Sequence, residues 1–305
     1  MNPELPHIPL GEWARVVFDW FRSTFDWLLD LFTIVLKTLV EGFVDGMLAV
    51  PYPLFILVIA LIAWLVRSWQ LAVGTVLSLL LIVSMGYWQS AIQTLGLVLA
   101  AAVIAIVIAV PIGIAAARSD RFSALLRPVL DFMQTMPAFV WLIPAVLLFS
   151  IGYVPGIFAT VIFSLPPGVR FTELGIRGVD AETVEAGHAF GAKSGQILRG
   201  IQLPLATPTI MAGINQVIML ALSMAVLAGF VGAPGLGKDV VAAVASVKLP
   251  PGVEAGLSIV IIAIILDRIT AALGSPAEYP NSLLGVLRRR RQSAVATAKR
   301  VGSAA

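Results

Sequence analysis

The chain has 305 residues, of which 59% are hydrophobic and only 12% are charged, with a net charge of +3. A soluble domain carries about 25% charged residues, so this composition predicts an all-α integral membrane protein built from apolar helices. Cysteine is absent, and the two histidines, His7 and His188, lie far apart in the sequence. Disulfides and thiol catalysis are thereby excluded, no pattern points to catalytic residues, and a paired-histidine metal site is not indicated.

The first predicted unit, residues 1–50, contains an amphipathic helix over 11–45. Its charged residues recur at spacings of three, four or seven, which places them on one helical face. They are Arg15, Asp19, Arg22, Asp26, Asp30, Lys37, Glu41 and Asp45. Because a charge at every turn is costly in hydrocarbon, we predict a helix lying flat on the outer membrane surface. A helix that packs on the protein's own surface would show the same pattern, and this alternative is equally consistent with the sequence.

The second predicted unit, residues 51–275, is a transmembrane domain of about seven helices. The predicted spans are 53–66, 70–86, 89–117, 128–150, 153–170, 207–231 and 255–273. The third span carries small residues every four positions, which predicts a face for close helix packing. They are Ala101, Ala105, Ala109 and Gly113. Pro111 predicts a kink near the end of this span.

Lysine and arginine are concentrated on one side of the predicted membrane when the loop 175–206 is placed in the cytoplasm. This asymmetry predicts that the N-terminus lies outside and the C-terminus inside. The last predicted unit, residues 276–305, is a basic cytoplasmic tail, expected to be disordered. Its cluster Arg288–Arg291 indicates a topology anchor, with attraction to anionic lipid as a second role.

The loop 175–206 has a predicted two-helix shape. Asp180 is a candidate N-cap for a helix that runs to about Phe190, where Gly191 permits a sharp turn. A second amphipathic helix follows, and we expect Pro204 to end it before the next span begins near Thr207. A helix of this kind can dock in a partner's groove, although an ordinary helical loop has the same pattern.

Residues 232–239, GAPGLGKD, imitate a phosphate-binding loop. Asp239 stands where such a loop needs Ser or Thr for magnesium, and an apolar helix rather than a strand precedes the motif. We therefore predict a Gly-Pro turn and then a short helix through Val240–Val247, without nucleotide binding.

Four polar residues at membrane depth are candidates for a solute pathway or for helix packing: Gln134, Asn215, Gln216 and Ser223. For Asn215 and Gln216, hydrogen bonding between helices is favoured over pathway lining. Asp131 lies four residues after Arg127, and we predict a local ion pair between them.

The loop also resembles the signature of membrane subunits of binding-protein-dependent ABC importers, E-A-(A/G)-x3-G-x9-I-x-L-P. The matching residues are Glu185, Ala186, Gly191, Ile201, Leu203 and Pro204. Gly187 departs from the usual third alanine, a change expected to loosen the helix. Four further runs resemble the glycine betaine/proline permease subgroup: LDFMQTMPAF (130–139), FSLPP (163–167), NQVIMLALSM (215–224) and GLG (235–237). The resemblance covers about residues 50–275.

This resemblance implies a type I importer fold and a permease that imports osmoprotectants without binding ATP itself. It implies a second permease copy, two cytoplasmic ATPase subunits that carry ATP and magnesium, and an extracytoplasmic solute-binding protein, with membrane lipid around the chain and no nucleic-acid partner. The residues implied to couple the permease to the ATPase are Glu182, Glu185, Ala186, Gly187, Ala189, Phe190, Gly191, Ile201, Leu203 and Pro204.

Three other functions are to be compared with that of an osmoprotectant permease. A permease for another small polar solute would share the same loop. An ion-coupled carrier would need an ionisable group or a broken-helix ion site near the midplane, and no acidic, basic or histidine residue lies in the middle of the confident spans. A membrane-bound nucleotide hydrolase would have to use residues 232–239, which lack the magnesium-binding hydroxyl.

Overall fold

The computed structural model describes residues 9–274 together with Tyr279, Ser282 and Leu283. Within this part of the chain the secondary structure is helical, without strands. Most of the predicted tail at 276–305, including Arg288–Arg291, lies outside the described residues. The helices are α1 (Leu10–Ala49), α2 (Tyr52–Val66), α3 (Trp69–Ser84), α4 (Trp88–Arg118), α5 (Asp120–Thr135), α6 (Leu142–Phe149), α7 (Tyr153–Arg177), α8 (Ala181–Ala189), α9 (Ser194–Ile197), α10 (Leu203–Leu227), α11 (Leu236–Ala245) and α12 (Leu249–Gly274).

The amphipathic helix α1 is 40 residues long, with one non-helical residue at Phe25. Its last third packs on α4 through Leu36, Val40 and Val44, which are buried. Val44 lies so close to Gly96 of α4 that a methyl group on Gly96 would stand 2.5 Å from Val44 Cγ2. The end of α1 therefore packs on the protein itself, whereas most of the helix exposes its apolar side chains, including its tryptophans.

Helix length and hydropathy divide the predicted spans into three groups. In the described part of the chain, four helical segments are long and apolar enough to cross a membrane alone: α4, α7, α12 and the continuous segment Ser194–Val231. Two bent pairs, α1 with α2 at 101° and α5 with the segment Ala138–Phe149 at 102°, qualify only when each is taken together. The apolar helix α3 is shorter.

The predicted single span 128–150 is wrong in shape, because the chain is already helical from Asp120 and breaks after Thr135. Met136 has φ −68° and ψ 133°, and Pro137 has φ −54° and ψ 134°, so both are extended. A proline disfavours helical geometry in the residue before it, which explains why the helix ends there. A 3₁₀ turn over Ala138–Trp141 then leads into α6.

The centre of the bundle is formed by α4, α7 and α10, and small residues bring these helices together. The predicted stripe on α4 is buried, and a methyl group on Gly113 would stand 2.5 Å from Cβ of Thr172 on α7. Gly168 of α7 packs in a similar way on Ala109 of α4, because a methyl group added to Gly168 would stand 2.8 Å from the Ala109 Cβ. The packing face predicted from the four-residue spacing is therefore confirmed. Pro111 lies within α4 without ending it.

The ends of the helices fall on two sides of the bundle. On one side, the Arg67 guanidinium after α2 donates to the carbonyl of Arg268 on α12 at 3.4 Å. On the opposite side, the Tyr87 hydroxyl donates to the carbonyl of Pro251, near the start of α12, at 3.3 Å. Arg67 and Arg268 therefore lie together on one side, and the basic last turns of α4 and α7 meet where the Arg177 guanidinium donates to the carbonyl of Ala116.

Candidate functional site

Helix α8 follows α7 after a short turn and begins where the sequence predicts. Asp180 is the N-cap, and its carboxylate accepts a hydrogen bond from the backbone N–H of Glu182 at 2.9 Å. Glu182, the acidic residue of the first turn, lies at the positive end of the helix dipole. At the other end Gly191 has φ +79°, and its N–H donates to the carbonyl of His188 at 2.9 Å. The predicted cap and glycine turn are both confirmed.

Gly187, the departure from the importer signature, lies where α8 packs on the helical segment that follows it. A methyl group on Gly187 would stand 2.7 Å from Cδ1 of Ile201 and 3.4 Å from Cγ1 of Ile197. A methyl group at this position would require the tip of the Ile201 side chain to move. Gly187 therefore allows α8 to lie close against Ile201, another signature residue, and the expectation that this glycine loosens the helix stays a prediction.

The chain does not end a helix at Pro204, contrary to prediction. Helix α9 passes into a π-helical turn over Leu198–Gln202 and then into α10, so that Ser194–Val231 is one continuous helical segment of 38 residues. The backbone N–H of Leu203 donates to the carbonyl of Leu198, five residues back. The wider turn just before Pro204 offers room for the proline ring, which would clash in an uninterrupted α-helix.

The outer face of α8 carries the signature residues that a partner could contact. Glu182, Glu185, Ala186 and Ala189 are exposed. Phe190 is 92% exposed, the highest value among the large hydrophobic side chains described. The salt bridges of the described residues include neither Glu182 nor Glu185. An exposed aromatic ring beside free carboxylates suits a helix that docks in a partially apolar, basic groove.

The helical segment that follows α8 packs into the bundle. Leu203 packs with the buried cluster of Ile176, Leu198 and Ala206, which joins α7 to α10. A cavity of about 480 Å³ lies beside this cluster. It is lined by Leu174, Gly175, Gly178, Val179, Asp180, Thr183, Leu205 and Thr209. Helix α8 itself packs on Ile197 and Ile201 of the segment that follows it, while Pro204 is exposed on the surface.

Polar contacts that the sequence did not predict link α5 to α7 just above α8. The Arg170 guanidinium donates to the Asp131 carboxylate, so the predicted local pair of Asp131 with Arg127 is wrong. The Ser123 hydroxyl donates to Glu173 at 2.7 Å. Side chains three or four positions apart on each helix form the two matching faces, but only the fold shows that these faces meet.

Arg177 completes this set at the end of α7. Its guanidinium lies 2.6 Å from the Asp120 carboxylate and 2.9 Å from that of Glu173, and it also donates to the carbonyl of Ala116 at 2.8 Å. The three contacts hold the ends of α4, α5 and α7 together, three residues before the cap of α8.

The four candidate pathway residues do not share one environment. Gln134 near the end of α5 is exposed, as are Gln216 and Ser223 on α10. Asn215 instead faces α12, where its amide donates to Asp267 Oδ1 at 3.0 Å and accepts from the Thr270 hydroxyl. Asn215 thus forms the helix-to-helix hydrogen bonds that were favoured for it, whereas its neighbour Gln216 does not face α12.

The glycine-rich loop at 232–239 packs against the protein's own helices. Gly235 has φ +121° and lies against Thr94, whose hydroxyl accepts from the backbone N–H of Leu236 at 2.8 Å. A methyl group on Gly237 would stand 2.3 Å from the carbonyl oxygen of Ala225. The glycines allow close approach of backbone to backbone, and the predicted turn and short helix are confirmed as α11, which begins at Leu236.

Comparisons with known proteins agree with this arrangement. The family model described as "Binding-protein-dependent transport system inner membrane component" matches residues 109–275. The chain is 49% identical over 266 residues to the glycine betaine transport system permease protein OpuAB of Bacillus subtilis, covering 87% of this chain and 94% of the relative. It is 46% identical over 267 residues to the glycine betaine/proline betaine transport system permease protein ProW of Escherichia coli, covering 88% and 75%.

A third relative, the glycine betaine/carnitine transport permease protein GbuB of Listeria monocytogenes, is 46% identical over 284 residues, covering 90% of this chain and 99% of that protein. Among solved structures, the MetNI methionine ABC transporter in an inward-facing conformation has a TM-score of 0.56 at 18% identity, covering 60% of this chain and 91% of that one. This likeness supports the fold alone. The sequence matches and the helical fold together show that the chain belongs to the family of binding-protein-dependent transport system inner membrane components and is a permease.

Proposed function

We propose that this permease forms the translocation pathway of an ATP-driven importer for glycine betaine and related quaternary-amine osmoprotectants. Helix α8 carries the proposal: it is a capped helix with an exposed Phe190, and its Glu182 and Glu185 form no salt bridge within the described part of the chain. A short turn joins α8 to α7, and α9 with the π-helical turn joins it to α10. The named solutes of the three relatives, betaines and carnitine, are quaternary ammonium compounds, which supports the substrate class.

In the proposed assembly, two copies of this chain pair with two cytoplasmic ATPase subunits, which bind ATP and magnesium. A solute-binding protein delivers the solute from outside. The N-terminus then lies outside and the C-terminus in the cytoplasm, because α8 must face the ATPase. The meeting of the basic last turns of α4 and α7 just before α8 supports this orientation.

The proposed mechanism follows from the attachment of α8. ATP binding draws the two ATPase subunits together, and the groove of each subunit carries α8 with it. Helix α8 packs on Ile197 and Ile201. Helices α7 and α10 tilt together because the cluster of Ile176, Leu198 and Ala206 joins them beside this contact. The pathway then changes from inward-facing to outward-facing, which requires two discrete arrangements of these helices.

The test is uptake by proteoliposomes that contain the permease, its ATPase and its binding protein. A Glu185→Arg variant places a cation against the basic groove, and we expect binding-protein-stimulated ATP hydrolysis and uptake to fall at least about tenfold. Asp30→Arg is the matched control, because Asp30 is an exposed carboxylate on α1 that, like Glu185, forms no salt bridge with the described residues. Normal stimulation and uptake with Glu185→Arg would overturn the coupling role. Uptake without the ATPase, driven by an ion gradient, would instead show a secondary carrier.

A further inference from the structure

Two helix breaks in this permease each present an exposed phenylalanine, and the two rings touch. Phe139 lies in the turn Ala138–Trp141 between α5 and α6, and Phe230 in the turn Ala228–Val231 after α10. Their ring centroids are 5.4 Å apart at an interplanar angle of 80°. Phe139 is 49% exposed and Phe230 is 55% exposed. An edge-to-face pair of this kind leaves ring faces open to a third group.

The first break lies at membrane depth. Trp141, two residues after Phe139, packs with Met224 of α10 and Phe163 of α7. Phe163 is ten residues from the start of α7 at Tyr153, a distance of about 15 Å along a helix. Irregular backbone at such depth is tolerated only where it is buried in protein or lines a water-filled cavity. Because Phe139 is half exposed in the single chain, the surface beside this break faces either a hydrated pathway or another protein surface rather than lipid.

The surrounding surface has the polarity of a pathway wall. Gln134 and Thr135 are exposed at the end of α5, immediately before the break. On α10, Gln216 and Ser223 are exposed and stand seven residues apart, and Phe230 follows Ser223 by a further seven. Residues seven apart lie on nearly the same helical face. Exposed amides and a hydroxyl in line with the aromatic pair are expensive in lipid and suited to a hydrated pathway.

We infer that Phe139 and Phe230 form a transient site for the quaternary ammonium group of the solute as it crosses the membrane. A quaternary ammonium cannot donate a hydrogen bond, and the faces of aromatic rings attract it through cation–π contacts. Two open phenylalanine rings provide an attraction weak enough for release, which conduction requires. The inference rests on the proposed function and adds to it a point of substrate recognition within the permease.

The experiment replaces Phe139 and Phe230, one at a time, with phenylalanines bearing one, two and three fluorines in the reconstituted full complex. Fluorine withdraws charge from the ring face with little change in shape. We expect the KM for glycine betaine uptake to rise stepwise with fluorine number, reaching about tenfold. Phe139→Leu and Phe230→Leu are expected to match the trifluorinated rings. Phe43→Leu, on an exposed ring of α1, is the matched control and should leave the KM unchanged.

Equal uptake kinetics across the fluorine series would overturn the inference while leaving the proposed function intact, provided the unmodified complex imports glycine betaine. An unmodified complex that imports no quaternary amine would overturn the proposed function itself. Size-exclusion chromatography of each variant checks assembly. If the leucine variants split the complex, the aromatic pair is a subunit contact, and the inference is wrong.

Discussion

Gly187 of α8 and Ile201 of the following π-helical turn lie so close together that an added methyl group would stand 2.7 Å from Ile201 Cδ1. The contacting atom is the tip of a flexible side chain, so a small substituent can be accommodated by rotation of that side chain. A branched side chain, such as that of leucine, is too large to be accommodated in this way.

The first prediction concerns this contact. Gly187→Ala should preserve the coupling of ATP hydrolysis to uptake, and its higher helix propensity should offset the crowding to within about 1 kcal/mol. Gly187→Leu should push α8 away from Ile201 and reduce uptake more than ATP hydrolysis. The ratio of solute imported to ATP hydrolysed measures the difference, and an unchanged ratio in Gly187→Leu would count against close packing at this position.

The second prediction concerns Arg177, which contacts Asp120, Glu173 and the carbonyl of Ala116. Arg177→Gln should lower the stability of the detergent-solubilised protein by about 1–3 kcal/mol, because charge-assisted hydrogen bonds are lost. Arg177→Lys should recover only part of this loss, since a single ammonium cannot reproduce the fork of the guanidinium. Thermal unfolding of the unmodified protein and both variants measures the difference. An unfolding midpoint of Arg177→Lys equal to that of the unmodified protein would contradict the role of the guanidinium fork.

The third prediction separates the two neighbouring amides of α10. Asn215→Ala should destabilise the protein by about 1–2 kcal/mol, because the hydrogen bonds to Asp267 and Thr270 are lost, with little effect on the KM for uptake. Gln216→Ala should leave stability unchanged and alter uptake kinetics. Thermal unfolding and uptake of both variants provide the comparison. The reverse pattern would mean that Asn215 lines the pathway.

The fourth prediction tests the glycine-rich loop. Gly237→Ala should destabilise the protein by about 2 kcal/mol or more, because the new methyl group would meet the carbonyl oxygen of Ala225 at 2.3 Å and backbone cannot rotate away. Gly256→Ala is the matched control, since no atom stands within 4 Å of the added carbon in α12. That change should be neutral or stabilising by up to about 1 kcal/mol. Comparable unfolding midpoints for both variants would contradict the packing role.

The contrast between Pro137 and Pro204 shows how much of the fold the sequence could predict. The sequence predicted an uninterrupted span through Pro137 and a helix end at Pro204. The structure shows the reverse: the helix ends before Pro137, with Met136 extended, whereas Pro204 follows a π-helical turn and the helix continues. Prolines also lie inside α4, α5, α7 and α10, so a proline alone does not decide whether a helix ends. The outcome depends on the backbone geometry of the preceding turn, which tertiary packing determines.

The features of the candidate site likewise differ in whether local sequence patterns could predict them. Local patterns predicted the Asp180 cap, the Gly191 turn and the small-residue stripe of α4, because each depends on residues within a few positions of one another. The pairing of Asp131 with Arg170 joins two helices, and the two residues are 39 positions apart along the chain. Nothing in the local spacing favours Arg170 over Arg127, so this contact required the fold.

The unbroken helical segment Ser194–Val231 has a mechanical consequence. At 1.5 Å per residue its 38 residues span about 57 Å, with the contact to α8 near one end and Phe230 at the other. A rigid rod of that length rotating by about 5° around its midpoint moves each end by about 2.5 Å, in opposite directions. As long as the π-helical turn over Leu198–Gln202 keeps its shape, a small shift of the segment next to α8 becomes an equal and opposite shift at Phe230.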